Sequence, residues 1–200
     1  MTVLSLSTKQ KYGTLLGPNS AFIPGHYESI ATVSVNGSGA SSIDFTSIPT
    51  TYQHLQVRGM VRQSGAGTGL ANLVYRFNND PLTNGDTSSS NYVGQYFYGN
   101  GTSQGAGISN RNYCSDHVNG GATTSAFAMF VMDIYDYQDT NKYRFFRCLS
   151  GCDLSGGGEV TMWSGFWKNT NALNQLTFYP DNGNFVQYSH VSLYGIKVVA

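Results

Sequence analysis

Spacing, more than residue type, decides what chemistry this chain can do. Cys114 and His117 lie close together in SNRNYCSDHV, but a catalytic Cys and His are normally joined by the fold and not by adjacency. A loop thiol beside a solvated histidine is the plain reading. Cys148 and Cys152 form a C-x-x-x-C with no second Cys pair or His pair to complete four zinc ligands. Asp133, Asp136 and Asp139 lie in DIYDYQDTN, and spaced carboxylates can hold calcium or act as an acid–base pair. Their spacing departs from the D-x-[DN]-x-[DN]-G calcium loop. On a strand running through Tyr135 the first two also point to opposite faces, so a solvated strand end and turn is expected. GAGTG at Gly65 to Gly69 lacks the Lys-Ser/Thr of a phosphate loop and reads as a hairpin tip. His26, His54, His117 and His190 are scattered, as surface or core hydrogen-bonding histidines are. No G-x-S-x-G lies on the strand-turn-helix that a nucleophile elbow requires. The sequence therefore predicts no catalytic residue, no metal and no cofactor. The remaining candidates are aromatic: Trp163, Phe166, Trp167 and the tyrosines of Tyr92 to Tyr98. Such rings can stack on sugars or fill a core. Trp163 and Trp167 are the glycan-stacking candidates.

The elements that must position these residues are strands. Ala31, Val33 and Val35 alternate with Thr32 and Ser34, Asn36-Gly37 opens a turn, and Ile43 and Phe45 resume the alternation, which predicts a hairpin. After Pro49, Leu55, Val57, Gly59 and Val61 share one face, with Gln56, Arg58 and Arg62 on the other. Leu73, Tyr75 and Phe77 repeat the device, and Tyr92, Gln95, Tyr96 and Tyr98 mark a further strand. A long Gly/Ser/Asn segment follows from Gly99 to Thr123, and then come strand-like runs at Ala126–Tyr135, Tyr143–Leu149, Glu159–Phe166, Leu173–Tyr179 and Val191–Val199. Asn-Gly recurs at Asn36, Asn84, Asn100, Asn119 and Asn182, spacing turns as a meandering antiparallel protein requires. No helical stripe and no fixed-period repeat interrupts the pattern. An all-β fold of eight to ten strands, a jelly-roll-like antiparallel β-sandwich, is expected.

Residues 1–25 lack periodicity and contain Pro18 and Pro24, yet Val3, Leu4, Leu6, Leu15, Leu16, Phe22 and Ile23 make them more apolar than a solvated tail. They read as an extended arm that docks on a neighbouring surface, with residues 26–200 as one sandwich domain.

Only 11% of residues are charged, with 14 Tyr, 11 Phe and 24 Gly, against about 25% charged residues in an average soluble domain. The surface must therefore be polar but weakly charged, as suits subunits packed in an assembly. Lys plus Arg and Asp plus Glu are 11 each, so nucleic acid is not an expected partner. The longest apolar run, AFAMFVM, is far below the roughly 20 residues that cross a bilayer. MTVLSLSTKQKYG is not a signal peptide, so no Sec export is expected. Without export, the sequons at Asn36 and Asn100 have no occasion for glycosylation. Three cysteines are too few, and odd in number, for a disulfide framework.

YESIATVSVNGSGASSIDFTSIPTTYQHLQVRGMVR (Tyr27 to Arg62), ANLVYRFNND (Ala71 to Asp80), SNYVGQYFYGNGT (Ser90 to Thr102) and SLYGIK (Ser192 to Lys197) carry a resemblance over most of the chain. The chain resembles β-sandwich structural proteins of tailed-bacteriophage virions, cyanophages included. Such proteins serve as capsid decorations, fibres and tail appendages, and the resemblance carries over no catalytic residue. It implies a non-enzymatic virion component assembled in the host cytoplasm. The absence of a shaft or repeat points to a decoration or cement protein on the outer capsid surface, contacting the major capsid protein and its own copies as a homotrimer. The rival expectation is a tail-fibre or receptor-binding head that recognises host-surface glycans.

Overall fold

The computed structural model describes residues 26–80, 91–122, 125–154 and 157–197. The expected arm, with Val3, Leu4, Leu6, Leu15, Leu16, Phe22 and Ile23, lies outside the described residues, as does Asn84. Strands form because short runs of β-branched and aromatic residues alternate with polar ones, and each run is closed by Gly, Asn, Ser or Pro. Among the described residues they make twelve strands and no helix.

The wider sheet holds β1 (Tyr27–Ser34), β3 (His54–Val61), β5 (Tyr92–Gly99), β6 (Gln104–Ser109), β8 (Ala128–Tyr135), β9 (Arg144–Asp153), β10 (Gly158–Trp167) and β12 (His190–Ile196), in the order β1-β12-β3-β8-β9-β10-β5-β6. The narrower sheet holds β2 (Ile43–Phe45), β4 (Leu70–Phe77), β7 (Tyr113–Val118) and β11 (Leu176–Pro180), in the order β2-β11-β4-β7. All named strand pairs are antiparallel. β1 pairs with β12, β2 with β11, β3 with β8 and β4 with β7, while β5, β6, β9 and β10 extend the wider sheet.

The sheets face one another across an apolar core. Phe130 of β8 meets Phe178 of β11 at 5.6 Å between ring centroids, and Tyr75 of β4 meets Phe146 of β9 at 4.8 Å. β9 shows the alternation best: Arg144, Phe146, Cys148 and Ser150 are buried while Phe145, Arg147 and Leu149 are exposed.

Glycine performs a second task here besides making turns. Gly59 pairs directly with Phe130, Gly165 with Phe146, Gly107 with Tyr96 and Gly105 with Tyr98. In each pair the aromatic ring lies over the glycine, where an added Cβ would come within 3.0 Å of ring atoms or the hydroxyl. Cross-strand glycine thus makes room for a ring lying flat on the sheet.

Several expectations need correction. The Asn36-Gly37 turn exists, with Gly39 N–H donating to Asn36 O at 3.0 Å, but it links β1 to β2 in different sheets and closes no hairpin. GAGTG likewise carries the chain from β3 to β4 across the two sheets. Arg62, placed on a polar face by alternation, is buried; its guanidinium donates to the carbonyls of Ala126, Gly120 and Ala122 at 3.1, 2.9 and 3.0 Å. The Gly/Ser/Asn segment from Gly99 to Thr123, in which the sequence marks no strand, contains β6 and β7.

Candidate functional site

β10 is the strand that carries the site. Its inward face presents Thr161, Trp163, Gly165 and Trp167, all buried. Neither tryptophan therefore offers a ring face to solvent, and sugar stacking on exposed indoles is corrected. The reason is the strand's alternation, which turns Phe166 outward to stack on Tyr143 at 6.1 Å and both tryptophans inward. Trp167 packs on Phe77 and Tyr92 and donates its Nε1–H to Asp80 Oδ2 at 2.7 Å. That arrangement is structural. Trp163 differs: it is 3% exposed, stacks on Tyr96 at 4.7 Å, and its Nε1–H makes no hydrogen bond among the described residues.

The two sheets are unequal in width, and this asymmetry creates a cleft. The narrower sheet ends at β7, whereas the wider one continues through β10 and β5 to β6. Beneath the overhang lies a cavity of about 310 Å³. Trp163, Thr161 and Glu159 line it from β10, and Tyr96 and Tyr98 line it from β5. Arg111, Tyr113 and Asp116 close it from β7 and the preceding turn, with Asn72 of β4 paired opposite Asp116. β7 carries an irregularity: Leu73 pairs with Ser115 and Val74 with Tyr113, so Cys114 is the extra residue. A bulge of this kind breaks strict alternation, which lets Tyr113 and Asp116 face the same cleft.

Two carboxyls meet there. Thr161 Oγ1–H donates to Glu159 Oε1 at 3.1 Å. Burial withholds water from the Asp116 carboxyl and pushes it up to about 6; contact with the Thr161 hydroxyl offsets part of the rise, and the charges of Glu159 and Asp181 add to it. Across the cleft the Arg111 guanidinium lies over the Tyr113 ring at 5.4 Å and donates to its hydroxyl at 2.6 Å. The site thus combines ring faces, hydrogen-bond donors and acidic acceptors. The glycine pairs supply its floor, since Tyr96 and Tyr98 lie on Gly107 and Gly105.

The other sequence candidates are accounted for locally. Asp133 accepts from Arg147 Nη2 at 2.9 Å and from Gln56 Nε2 at 2.7 Å. Asp136, at φ 45°, ends β8 and accepts from Lys142 Nζ and Gln53 Nε2, both at 2.5 Å; these contacts hold its carboxyl below the usual range. Asp136 N–H donates to His54 Nδ1 at 3.0 Å. Cys114, Cys148 and Cys152 are free thiols, and burial against Cys148 pushes Cys114 well above the ordinary thiol range. Sequence reasoning missed Asp116, Glu159 and Arg111 because no local pattern joins them. The available signal was the Tyr96/Tyr98 spacing opposite the Gly105/Gly107 spacing, which marks a hairpin around Asn100.

A second feature is the outer face of the wider sheet. Val131, Leu149, Met162, Phe97 and Ala106 are consecutive cross-strand partners from β8 to β6. The neighbouring row runs through Met60, Met129, Gly151 and Val160. Met129, Leu149, Val160 and Phe97 are 64%, 54%, 58% and 56% exposed. This belt of side chains is bordered by the polar row Gln56, Asp133, Arg147, Ser164 and Gln95.

Comparison with known families and with curated proteins gives no match for the chain: no family model and no curated protein matches it.

Proposed function

We propose that this chain is a non-enzymatic structural protein of a phage virion, a decoration or cement protein on the outer capsid surface. Its sequence resemblance supplies the virion setting. The observation that carries the reading is the apolar belt on the outer face of the wider sheet, because contiguous exposed apolar surface bordered by polar residues marks a protein contact. The occupant of the belt is a neighbouring copy of the chain, in a homotrimer. Residues 1–25 then reach the major capsid protein and tie adjacent capsomers together.

The strand order supports a jelly roll. With β5, β6, β9 and β10 set aside, β1-β12-β3-β8 lies against β2-β11-β4-β7, and successive strands change sheet at every step except from β4 to β7. Such a fold is one long antiparallel ribbon wound over on itself, as in viral capsid and lectin domains.

Imaging of labelled protein on purified particles tests the function. Copies spread over the whole shell are the expected result; a few copies at one vertex would instead place the chain on the tail, and none would remove it from the virion. The rival reading, a receptor-binding head for host glycans, loses the exposed tryptophans but gains the cleft.

A further inference from the structure

We propose that the cleft under the sheet overhang binds a neutral, hydroxyl-rich ring, the terminal unit of a saccharide, between the Trp163 N–H and the carboxyls of Asp116 and Glu159. This deepens the glycan reading and is independent of where on a particle the chain sits, so its failure leaves the decoration role standing.

The argument begins with a donor that has no acceptor. Trp163 is almost wholly buried, yet its Nε1–H makes no hydrogen bond among the described residues. A buried unmade hydrogen bond costs about 1–3 kcal/mol, so the group is one that awaits a partner. Its direction follows from packing. The Cε3–Cζ3 edge of the indole lies nearest Gly94, which pairs with Gly165 on the far side of Trp163. The Nε1 edge is therefore turned the other way, toward Thr161 and the carboxyls.

The ligand's chemistry follows by elimination. A simple cation would suit Asp116 and Glu159 but would leave the indole N–H unpaired. An anion would accept from the indole and from Arg111, but the carboxyls of Asp116 and Glu159 outnumber that one cation in the cleft and oppose it. A hydroxyl donates and accepts, so vicinal hydroxyls satisfy both walls at once. The C–H face of a sugar ring also matches the Tyr98 ring of the cleft. At about 310 Å³ the cavity is at the small end of ligand sites, which run from about 300 to 1,000 Å³, so it takes one ring or little more.

The test follows the two indole N–H resonances of the full chain labelled with nitrogen-15, assigned with Trp163→Phe. The probes are methyl glucoside, methyl galactoside, methyl mannoside and N-acetylglucosamine at millimolar concentration, with tetramethylammonium and inorganic phosphate beside them. A saturable shift of the Trp163 signal with at least one sugar is expected, while the Trp167 signal, held by Asp80, stays still. Glu159→Gln, which keeps the side-chain shape, should weaken that sugar about tenfold, the loss of one charge-assisted hydrogen bond. The proposal is overturned if all four sugars leave the Trp163 signal unmoved. It is equally overturned if only tetramethylammonium or phosphate moves the signal, or if Glu159→Gln binds the sugar as well as the original chain.

Discussion

Asp116 shows how one enclosed side chain sets a pH dependence. Its carboxyl is held at about 6 in the fold, against roughly 4 for an aspartate in an unfolded chain. Between those values the folded state binds more protons, so Asp116 favours folding fully below about pH 4 and that contribution is lost as the pH rises through about 6. A shift of about two units corresponds to roughly 3 kcal/mol at most. Asp116→Asn removes the effect: in urea titrations its stability relative to the original chain should rise by up to about 3 kcal/mol from pH 4 to pH 7. Parallel pH profiles would show that Asp116 is not the group responsible. Arg144 gives a second test. Fully buried, it donates to the carbonyls of Asp136, Lys142 and Thr170 at 2.5, 2.6 and 3.1 Å, and also to that of Asp139. The turn between β8 and β9 is thus wrapped around its guanidinium. Arg144→Met keeps much of the volume but leaves those carbonyls unpaired, and should cost about 3 kcal/mol or more in chemical denaturation.

At the scale of elements, the glycine–aromatic pairs explain what the sequence could and could not tell. An added Cβ on Gly165 would sit 2.7 Å from Phe146 Cε1 and from the Val93 carbonyl oxygen, whereas one on Gly99 would meet nothing within 4 Å. Gly165→Ala should therefore lower stability by about 1–3 kcal/mol through overpacking, and Gly99→Ala should stay within about 0.5 kcal/mol. Equal melting shifts for the two would sink the idea that these glycines make room for rings. The same pairs show why β6 is hard to read: its own glycines look like loop, and the strand signal lies in the tyrosines of its partner β5. By contrast β8, β9, β10 and β12 were legible, because their side chains alternate within the strand itself. The cleft was illegible for a different reason. Asp116 and Glu159 are brought together by the facing of two sheets, and the bulge at Cys114 cancels the alternation that sequence reasoning uses. Turn chemistry misled as well, since Asn-Gly closes a hairpin only at Asn100, whose N–H donates to Ser103 O at 3.0 Å, and elsewhere among the described residues serves sheet-to-sheet crossings or strand ends.

For the whole molecule, the belt and the arm make separable predictions. Leu149→Glu places a charge in the middle of the apolar row and should convert a trimer into monomers in sedimentation equilibrium without loss of folded signal, because Leu149 is exposed within the chain. A monomeric original chain at micromolar concentration would refute the trimer outright. Deleting Met1 to Pro24 should leave a folded oligomer that no longer binds particles, and undiminished particle occupancy would remove the anchoring role. Strand pairing also has a consequence in time. Among the described residues β1 hydrogen-bonds only to β12, and β2 only to β11, so these two strands have no sheet partner until β12 and β11, more than a hundred residues later, are made. At about 5–20 residues per second, β1 waits on the order of ten to thirty seconds beside a growing chain. The β8-β9-β10 meander, by contrast, is complete as soon as its own residues emerge. Biogenesis of this protein is therefore expected to pass through a protected meander with a protease-sensitive N-terminal half. Arresting synthesis before His190 and treating the nascent chain with protease would reveal that intermediate, while release of β12 would close the wider sheet soon after β11 has closed the narrower one.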